Sequence, residues 1–168
     1  MNKIRRGIYP GTFDPVTYGH IDLIRRALEV FDEVTIAVAD QTTDKTPLFT
    51  LKERVELLRK VTQGLKGVSV EVFEGLVVEF ARQKGARAMI RGIRMLSDFE
   101  YEFQLALTNR RLDPQVETVF LMPSAEYSYL SSRLLKEAAG LGANVRGLVP
   151  PFVAKRLKEK LNGEGQVE

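Results

Sequence analysis

The stretch that decides the fold reads YPGTFDPVTYGHID and covers residues 9–22. The β-prone pair Ile8-Tyr9 leads into it, and apolar residues at three- and four-residue spacing follow from Ile21 to Phe31. This order predicts a strand, a tight loop and then a helix. Glycines in the loop let backbone come close to a ligand, and a helix N-terminus presents unpaired N–H groups to an anion. We therefore expect a phosphate-binding loop here.

The same strand-and-helix unit recurs along the chain. Further β-prone segments lie at 34–38, 68–72, 89–90 and 118–122. Helical patterns start at Thr50, Leu76, Ser97, Ser131 and Pro151, and two of them carry the residue pairs of a capping box, Thr50 with Glu53 and Ser97 with Glu100. Because crossover helices between parallel strands must cover the sheet, the pattern predicts an α/β fold with a doubly wound, mostly parallel five-stranded sheet. Ligands of such sheets bind beyond the carboxyl ends of the strands.

Composition narrows the class of protein. A chain of 168 residues fits one domain, predicted over residues 1–161 with a frayed tail at 162–168. No apolar run approaches the roughly 20 residues of a membrane helix, and no secretory segment follows Met1, so we expect a cytoplasmic protein without a membrane partner. The net charge of +3 is too small to argue for nucleic acid. With no cysteine and one histidine, any metal is expected to be a hard ion such as Mg²⁺.

The first motif carries a family resemblance. Its Thr17-Tyr18-Gly19-His20 element resembles the His/Thr-x-Gly-His signature of the nucleotidyltransferase superfamily, and residues 9–22 together resemble the phosphopantetheine adenylyltransferase family. A lone histidine at a helix start would ordinarily be a solvated residue, but its neighbours favour a functional one. The resemblance extends from about Ile8 to Leu161. It implies a Rossmann-like nucleotidyltransferase fold and, in coenzyme A biosynthesis, transfer of AMP from ATP to 4'-phosphopantetheine, with dephospho-coenzyme A and pyrophosphate as products.

A second motif follows the fourth predicted strand, where IRGIR at 90–94 precedes DFEYE at 98–102. Two arginines at the carboxyl end of a strand can each bind phosphate oxygens through a permanently charged guanidinium. The block is similar to the same family, and the resemblance implies that Arg91 meets the phosphate of pantetheine. It further implies that Gly92, Ile93, Arg94 and Glu102 contact ATP.

A third motif, YSYLSSR, covers residues 127–133. Serines before a helix are most often caps, but this segment resembles the second nucleotide-binding signature of the family, with Leu130 where isoleucine or valine is commoner. The resemblance implies ATP contacts from Tyr127, Ser128, Tyr129, Leu130, Ser131, Ser132 and Arg133. It also places Thr12, Phe13 and His20 on ATP, and Thr12, Lys45 and Val77 on phosphopantetheine.

These residues suggest a mechanism without a proton carrier. A phosphate monoester is mostly dianionic at neutral pH, so the acceptor needs no general base. We expect His20 to be the catalytic residue that stabilises the transition state at the α-phosphate, and Thr12, Lys45 and Arg91 to hold the acceptor phosphate. Arg94, the Ser131-Ser132 turn and Mg²⁺ are expected to hold the triphosphate. No metal site made of protein ligands is expected, because the phosphates of ATP can bind the ion.

Two alternatives remain open from the residues. The first is a nucleotidyltransferase with a different phosphorylated acceptor, and the second is a nucleotide sensor without catalysis. An aminoacyl-tRNA synthetase fragment shares the histidine signature, but the chain has no room for a tRNA-binding domain. The resemblance also implies a homohexamer and coenzyme A as a possible feedback ligand, although the sequence itself shows no recognisable interface.

Overall fold

The computed structural model describes residues 4–41 and 46–164, which form a single five-stranded sheet with helices on both faces. Every strand pair is parallel, and the strand order is β3-β2-β1-β4-β5. The strands are β1 (Arg6–Gly11), β2 (Glu33–Ala39), β3 (Val68–Phe73), β4 (Ala88–Gly92) and β5 (Glu117–Leu121). The helices are α1 (Tyr18–Val30), α2 (Leu51–Val61), α3 (Val77–Gln83), α4 (Leu96–Leu112), α5 (Ser132–Gly140) and α6 (Pro151–Glu164). The predicted α/β fold is confirmed.

Alternate residues of the strands face two separate hydrophobic clusters. Ile8 and Met89 belong to the cluster that α3 covers, whereas their neighbours Tyr9 and Ile90 belong to the larger cluster shared with α1, α2 and α6. This alternation follows from the period of two along a strand. Both faces are covered at the centre of the sheet, where β1 and β4 are buried on each side, whereas the valines of the edge strand β3 alternate with Ser69 and Glu71.

The structure confirms one predicted capping box and contradicts the other. Thr50 Oγ1 accepts from the N–H of Glu53, and Glu53 accepts in return from the N–H of Thr50 at 2.9 Å. Helix α4, by contrast, begins at Leu96, so Ser97 lies inside the helix and cannot cap it. Asp98 instead accepts from the backbone N–H of Arg94 at 3.4 Å.

Several boundaries differ from the predicted ones. Strands β1 and β4 are longer than predicted and include Gly11 and Gly92, because backbone pairing continues to the motif glycines. Arg91 therefore lies within β4 rather than after it. Helix α6 ends at Glu164, and 165–168 lie outside the described residues, so the domain end at residue 161 and the frayed tail stay predictions. None of the described helices is long and apolar enough to cross a membrane.

Candidate active site

The candidate active site is a cleft of about 840 Å³ at the carboxyl ends of β1, β4 and β5. This size is typical of small-molecule sites, and the place is where open α/β sheets bind their ligands. The N-terminal ends of α1 and α5 contribute to its wall, so helix dipoles favour an anion there. The cleft is lined by most of the predicted site residues: Thr12, Phe13, His20, Arg91, Gly92, Arg94, Glu102, Tyr127, Leu130, Ser131, Ser132 and Arg133.

Four predicted residues lie elsewhere along the described chain. Val77 begins α3 and packs against the smaller hydrophobic cluster, while Ile93, Ser128 and Tyr129 do not line the cleft although they adjoin residues that do. Lys45 falls outside the described residues, so its predicted phosphate contact stays a prediction. The ATP contacts assigned to Ile93, Ser128 and Tyr129, and the pantetheine contact assigned to Val77, also stay predictions.

His20 is held in one orientation by the cap of its own helix. The backbone N–H of Thr17 donates to His20 Nδ1 at 3.0 Å, and Thr17 Oγ1 accepts from the backbone N–H of His20 at 3.4 Å. Since Nδ1 accepts a hydrogen bond, the proton of the neutral ring must lie on Nε2. The ring also meets the edge of Phe13, with centroids 5.1 Å apart. His20 therefore offers the cleft a neutral N–H donor in a fixed position.

The charge state of His20 follows from its surroundings. Burial of the ring, and after it the nearby positive charge of Arg94, lower the pKa of His20 to about 4. The imidazole is thus neutral throughout the physiological pH range. This property suits a hydrogen-bond donor to phosphate and does not suit a base with a pKa near 7.

This shift predicts a pH dependence of stability. In the unfolded chain the ring takes up a proton as pH falls below about 6.5, but in the folded chain only near pH 4. Between these values the unfolded state binds more protons, so the contribution of His20 to the free energy of unfolding is complete above pH 6.5 and is lost as pH falls toward 4. Denaturant unfolding at several pH values checks this expectation.

His20→Gln is the matched control, because glutamine does not titrate and is a natural capping-box partner of Thr17. As pH falls from 6.5 to 4, the free energy of unfolding of wild type should decrease relative to that of this variant. A difference that stays constant over this range would contradict the assigned pKa.

Arg91 is held at the cleft by a two-point ion pair. Its Nε and Nη2 donate to the two carboxylate oxygens of Glu102 at 2.7 and 2.5 Å, and Nη1 lies 3.4 Å from the carbonyl of Pro10. Burial opposes the charge of the guanidinium, but the bonds to Glu102 overcome this effect, and the pKa of Arg91 lies above its usual value. Both oxygens of Glu102 are engaged by Arg91, and its predicted contact with ATP stays a prediction.

Arg94 links the second motif to the third. Its Nη1 donates to the carbonyl of Leu130 at 2.7 Å, and its Nε donates to Asp98 at 3.1 Å. Next to Leu130, Ser131 caps α5, and the hydroxyl of Ser132 donates to the carbonyl of Pro15 at 2.8 Å. The serines are therefore caps and loop contacts in this structure, and they bring the N-terminus of α5 to the cleft.

Gly92 has a packing role that the motif did not reveal. A Cβ atom at this position would lie 2.4 Å from Leu23 Cδ1, which is far inside van der Waals contact. The absence of a side chain thus lets α1 pack closely on β4.

The lining residues that the sequence did not reveal include a charged pair, Asp14 and Lys136. Asp14 is buried, accepts from the backbone N–H groups of Leu48 and Phe49 at 3.0 and 2.8 Å, and forms an ion pair with Lys136. Lys136 lies one helical turn after Ser132, so its spacing to the third motif was a usable signal. The long-range contact to Asp14 was not readable from the chain.

Comparison with known proteins agrees with this geometry. The model of the cytidylyltransferase-like family matches residues 8–138. A phosphopantetheine adenylyltransferase of Thermodesulfovibrio yellowstonii is 55% identical over 156 residues, which cover 93% of this chain and 97% of the relative. The chain belongs to the phosphopantetheine adenylyltransferase family. Relatives of the same name from Caldanaerobacter subterraneus and Desulforudis audaxviator are 54% and 52% identical over 94% of this chain and 98% of their own lengths.

Membership of the phosphopantetheine adenylyltransferase family confirms the resemblance inferred from the three motifs. The structure adds that these motifs, which are spread over more than 100 positions of the chain, surround one cleft. His20, Arg91 and Arg94 all line it, as the proposed chemistry requires.

Proposed function

We propose that this protein transfers the adenylyl group of ATP to 4'-phosphopantetheine and thereby makes dephospho-coenzyme A and pyrophosphate. An oxygen of the acceptor phosphate attacks the α-phosphorus of ATP, and the bond between that phosphorus and the oxygen bridging to the β-phosphate breaks. The observation that carries the proposal is that a neutral histidine and two arginines line one cleft, in a chain of this family.

The geometry supports charge stabilisation rather than proton transfer. The attacking phosphate is already anionic at neutral pH, and His20 has its Nδ1 occupied by Thr17. The Nε2–H donor can therefore stabilise negative charge that builds up on the α-phosphate, without gaining or losing a proton. Arg91 and Thr12 bind the acceptor phosphate, while Arg94 and the N-terminus of α5 bind the triphosphate.

Mg²⁺ is part of the proposal as a partner of ATP. Within the described ranges, no cluster of three or more His, Cys, Asp or Glu residues could hold a metal ion. The carboxylates that line the cleft already form ion pairs, Asp14 with Lys136, Glu102 with Arg91 and Glu137 with Arg133. The oxygen ligands for Mg²⁺ would thus come from the phosphates and water, which this ion prefers.

Coupled pyrophosphate release tests the proposed function. Purified protein is incubated with Mg²⁺ and either ATP or CTP, each with a panel of phosphorylated acceptors that includes 4'-phosphopantetheine. We expect faster turnover with ATP and phosphopantetheine than with any other pair of nucleotide and acceptor. Preferred turnover with CTP or another acceptor would favour a different nucleotidyltransferase, and ATP binding without any pyrophosphate would favour a sensor. Coenzyme A added to the same assay tests the predicted feedback ligand.

We also propose that the protein assembles as a homohexamer. The observation that supports assembly is the surface of α4, where Leu96, Phe99, Phe103 and Leu107 form an exposed apolar stripe at helical spacing. Phe99 and Phe103 stack at 5.7 Å with nearly half of their surfaces in solvent. Contiguous exposed apolar surface of this kind marks interaction sites.

Light scattering tests the assembly. Wild type is expected at about six times the chain mass of 19.0 kDa, and Phe103→Asp is expected to reduce this mass because a charge would be buried in the interface. Leu141→Asp is the matched control, since Leu141 is 91% exposed but lies beyond the end of α5. A monomeric wild type, or equal assembly of both variants, would contradict the proposal. The cytoplasmic location stays a prediction.

A further inference from the structure

Arg54 on α2 is a charged residue in the interior of the protein. It is 2% exposed and is the largest fully buried side chain in the described part of the chain. Its Nη1 group carries two hydrogens, and it donates to the backbone carbonyls of Thr12 and Ala39, both at 2.9 Å. Among the described residues, none accepts a hydrogen bond from its Nε.

Fold stability alone is a poor explanation for this arginine. Moving a guanidinium into the interior is costly, and an unpaired buried N–H adds to the cost. Replacing buried charges by apolar residues of similar size is often neutral or stabilising. Burial lowers the pKa of Arg54, while Asp14 and Asp40 oppose this effect, so the charge is only partly compensated. Such a locally unfavourable choice points to a functional role.

The two carbonyls lie at the edge of the sheet where the cleft is. Thr12 directly follows β1, and Ala39 is the last residue of β2, so one Arg54 nitrogen joins the ends of two neighbouring strands. The Thr12 carbonyl belongs to the peptide that leads into Phe13. Phe13 has φ +53°, in the left-handed region, and its ring packs against His20. A residue other than glycine adopts this conformation at a cost, so the surroundings must hold it.

We propose that Arg54 is a positioning residue for the adenylyl transfer, which acts by fixing the Thr12–Phe13 peptide. The fixed peptide directs Thr12 toward the acceptor phosphate. It also holds the Phe13 ring in position beside the catalytic imidazole. Arg54 does not line the cleft, so it acts only through Thr12 and Phe13. The inference rests on the proposed function for its kinetic consequence, but its structural consequence can be measured independently.

The kinetic test compares Arg54→Met, Arg54→Lys and the control Leu58→Ala, below the unfolding temperature of each. Leu58 is 0% exposed on the same helix and its side chain is purely apolar, so truncating it destabilises α2 without removing the hydrogen bond to Thr12. Arg54→Met should lower kcat by roughly 10-fold. This is less than the loss of about 100-fold that a 1 Å displacement at a reacting centre can cause, because Arg54 acts only indirectly. Arg54→Lys should show a smaller loss, and Leu58→Ala should lower Tm with wild-type kcat. If Arg54→Met does not fold, the lysine variant decides.

The structural test uses the fact that the chain contains one histidine, so its ring signals in an NMR spectrum are unambiguous. In Arg54→Met the ring shifts of His20 should move and its pKa should rise toward 6.5, because Phe13 no longer packs in one place. In Leu58→Ala both should stay as in wild type.

The two readouts separate failure of this inference from failure of the proposed function. A wild type that releases no pyrophosphate with any acceptor refutes the proposed function, and the NMR readout then decides on Arg54 alone. If wild type turns over, unchanged kcat or an unchanged His20 titration in the folded Arg54 variants overturns the inference.

Discussion

Replacing His20 by alanine is expected to lower kcat by about 10²–10³-fold, with little change in the KM of either substrate. The imidazole is positioned before the reaction begins, by the Thr17 cap on one side and the Phe13 ring on another. A preorganised donor of this kind stabilises charge that develops only in the transition state, and removing one costs about 2.7–4 kcal/mol. Steady-state kinetics with ATP, Mg²⁺ and phosphopantetheine measures the effect.

His20→Gln distinguishes a donor from a base. The glutamine oxygen can accept from the backbone N–H of Thr17, as Nδ1 does, and its amide N–H can then take the place of Nε2–H. We expect this variant to recover a substantial part of the activity that alanine loses. A glutamine variant as inactive as alanine would indicate proton transfer by His20. Full turnover of His20→Ala with only a raised KM would refute its assignment as the catalytic residue.

Replacing Arg91 by methionine is expected to raise the KM for phosphopantetheine by about 30-fold or more. The substitution removes the cation and also leaves the buried carboxylate of Glu102 unpaired beside an anionic substrate. Truncating one partner of a buried charge pair costs about 2–5 kcal/mol, of which 2 kcal/mol corresponds to about 30-fold in affinity. The KM for ATP should change much less, because Arg94 and α5 are left intact.

Arg87→Met is the matched control for this prediction. Arg87 directly precedes β4 and is exposed at the opposite end of the strand, so its loss changes the net charge equally without touching the cleft. The double variant Arg91→Met/Glu102→Gln should recover part of the affinity for phosphopantetheine, because it has no unpaired carboxylate. Equal KM values for phosphopantetheine in the Arg87 and Arg91 variants would show that Arg91 contributes only long-range charge.

The local parts of the site could be predicted from the chain because they rest on short-range rules. The Thr50 cap, the glycines around the first loop and the arginines of the second motif each follow from the properties of residues a few positions apart. The Ser97 capping box was wrong for the same reason, since a four-residue pattern cannot show on which residue the helix begins. Glu102 illustrates a further limit: its motif position was recognised, but its pairing with Arg91 was not.

By itself the sequence determined the parallel α/β fold, the family and the strand ends that carry the chemistry, because hydrophobic period and motif spacing are properties of the chain. Only the tertiary structure decided how those ends are held. Arg54 meets the carbonyl of Thr12 across 42 positions, and Lys136 meets Asp14 across 122. Such contacts depend on how helices cross the sheet, and they determine the direction of each donor. Side-chain types therefore predict which chemistry is possible, and tertiary packing decides whether the functional groups converge on one site.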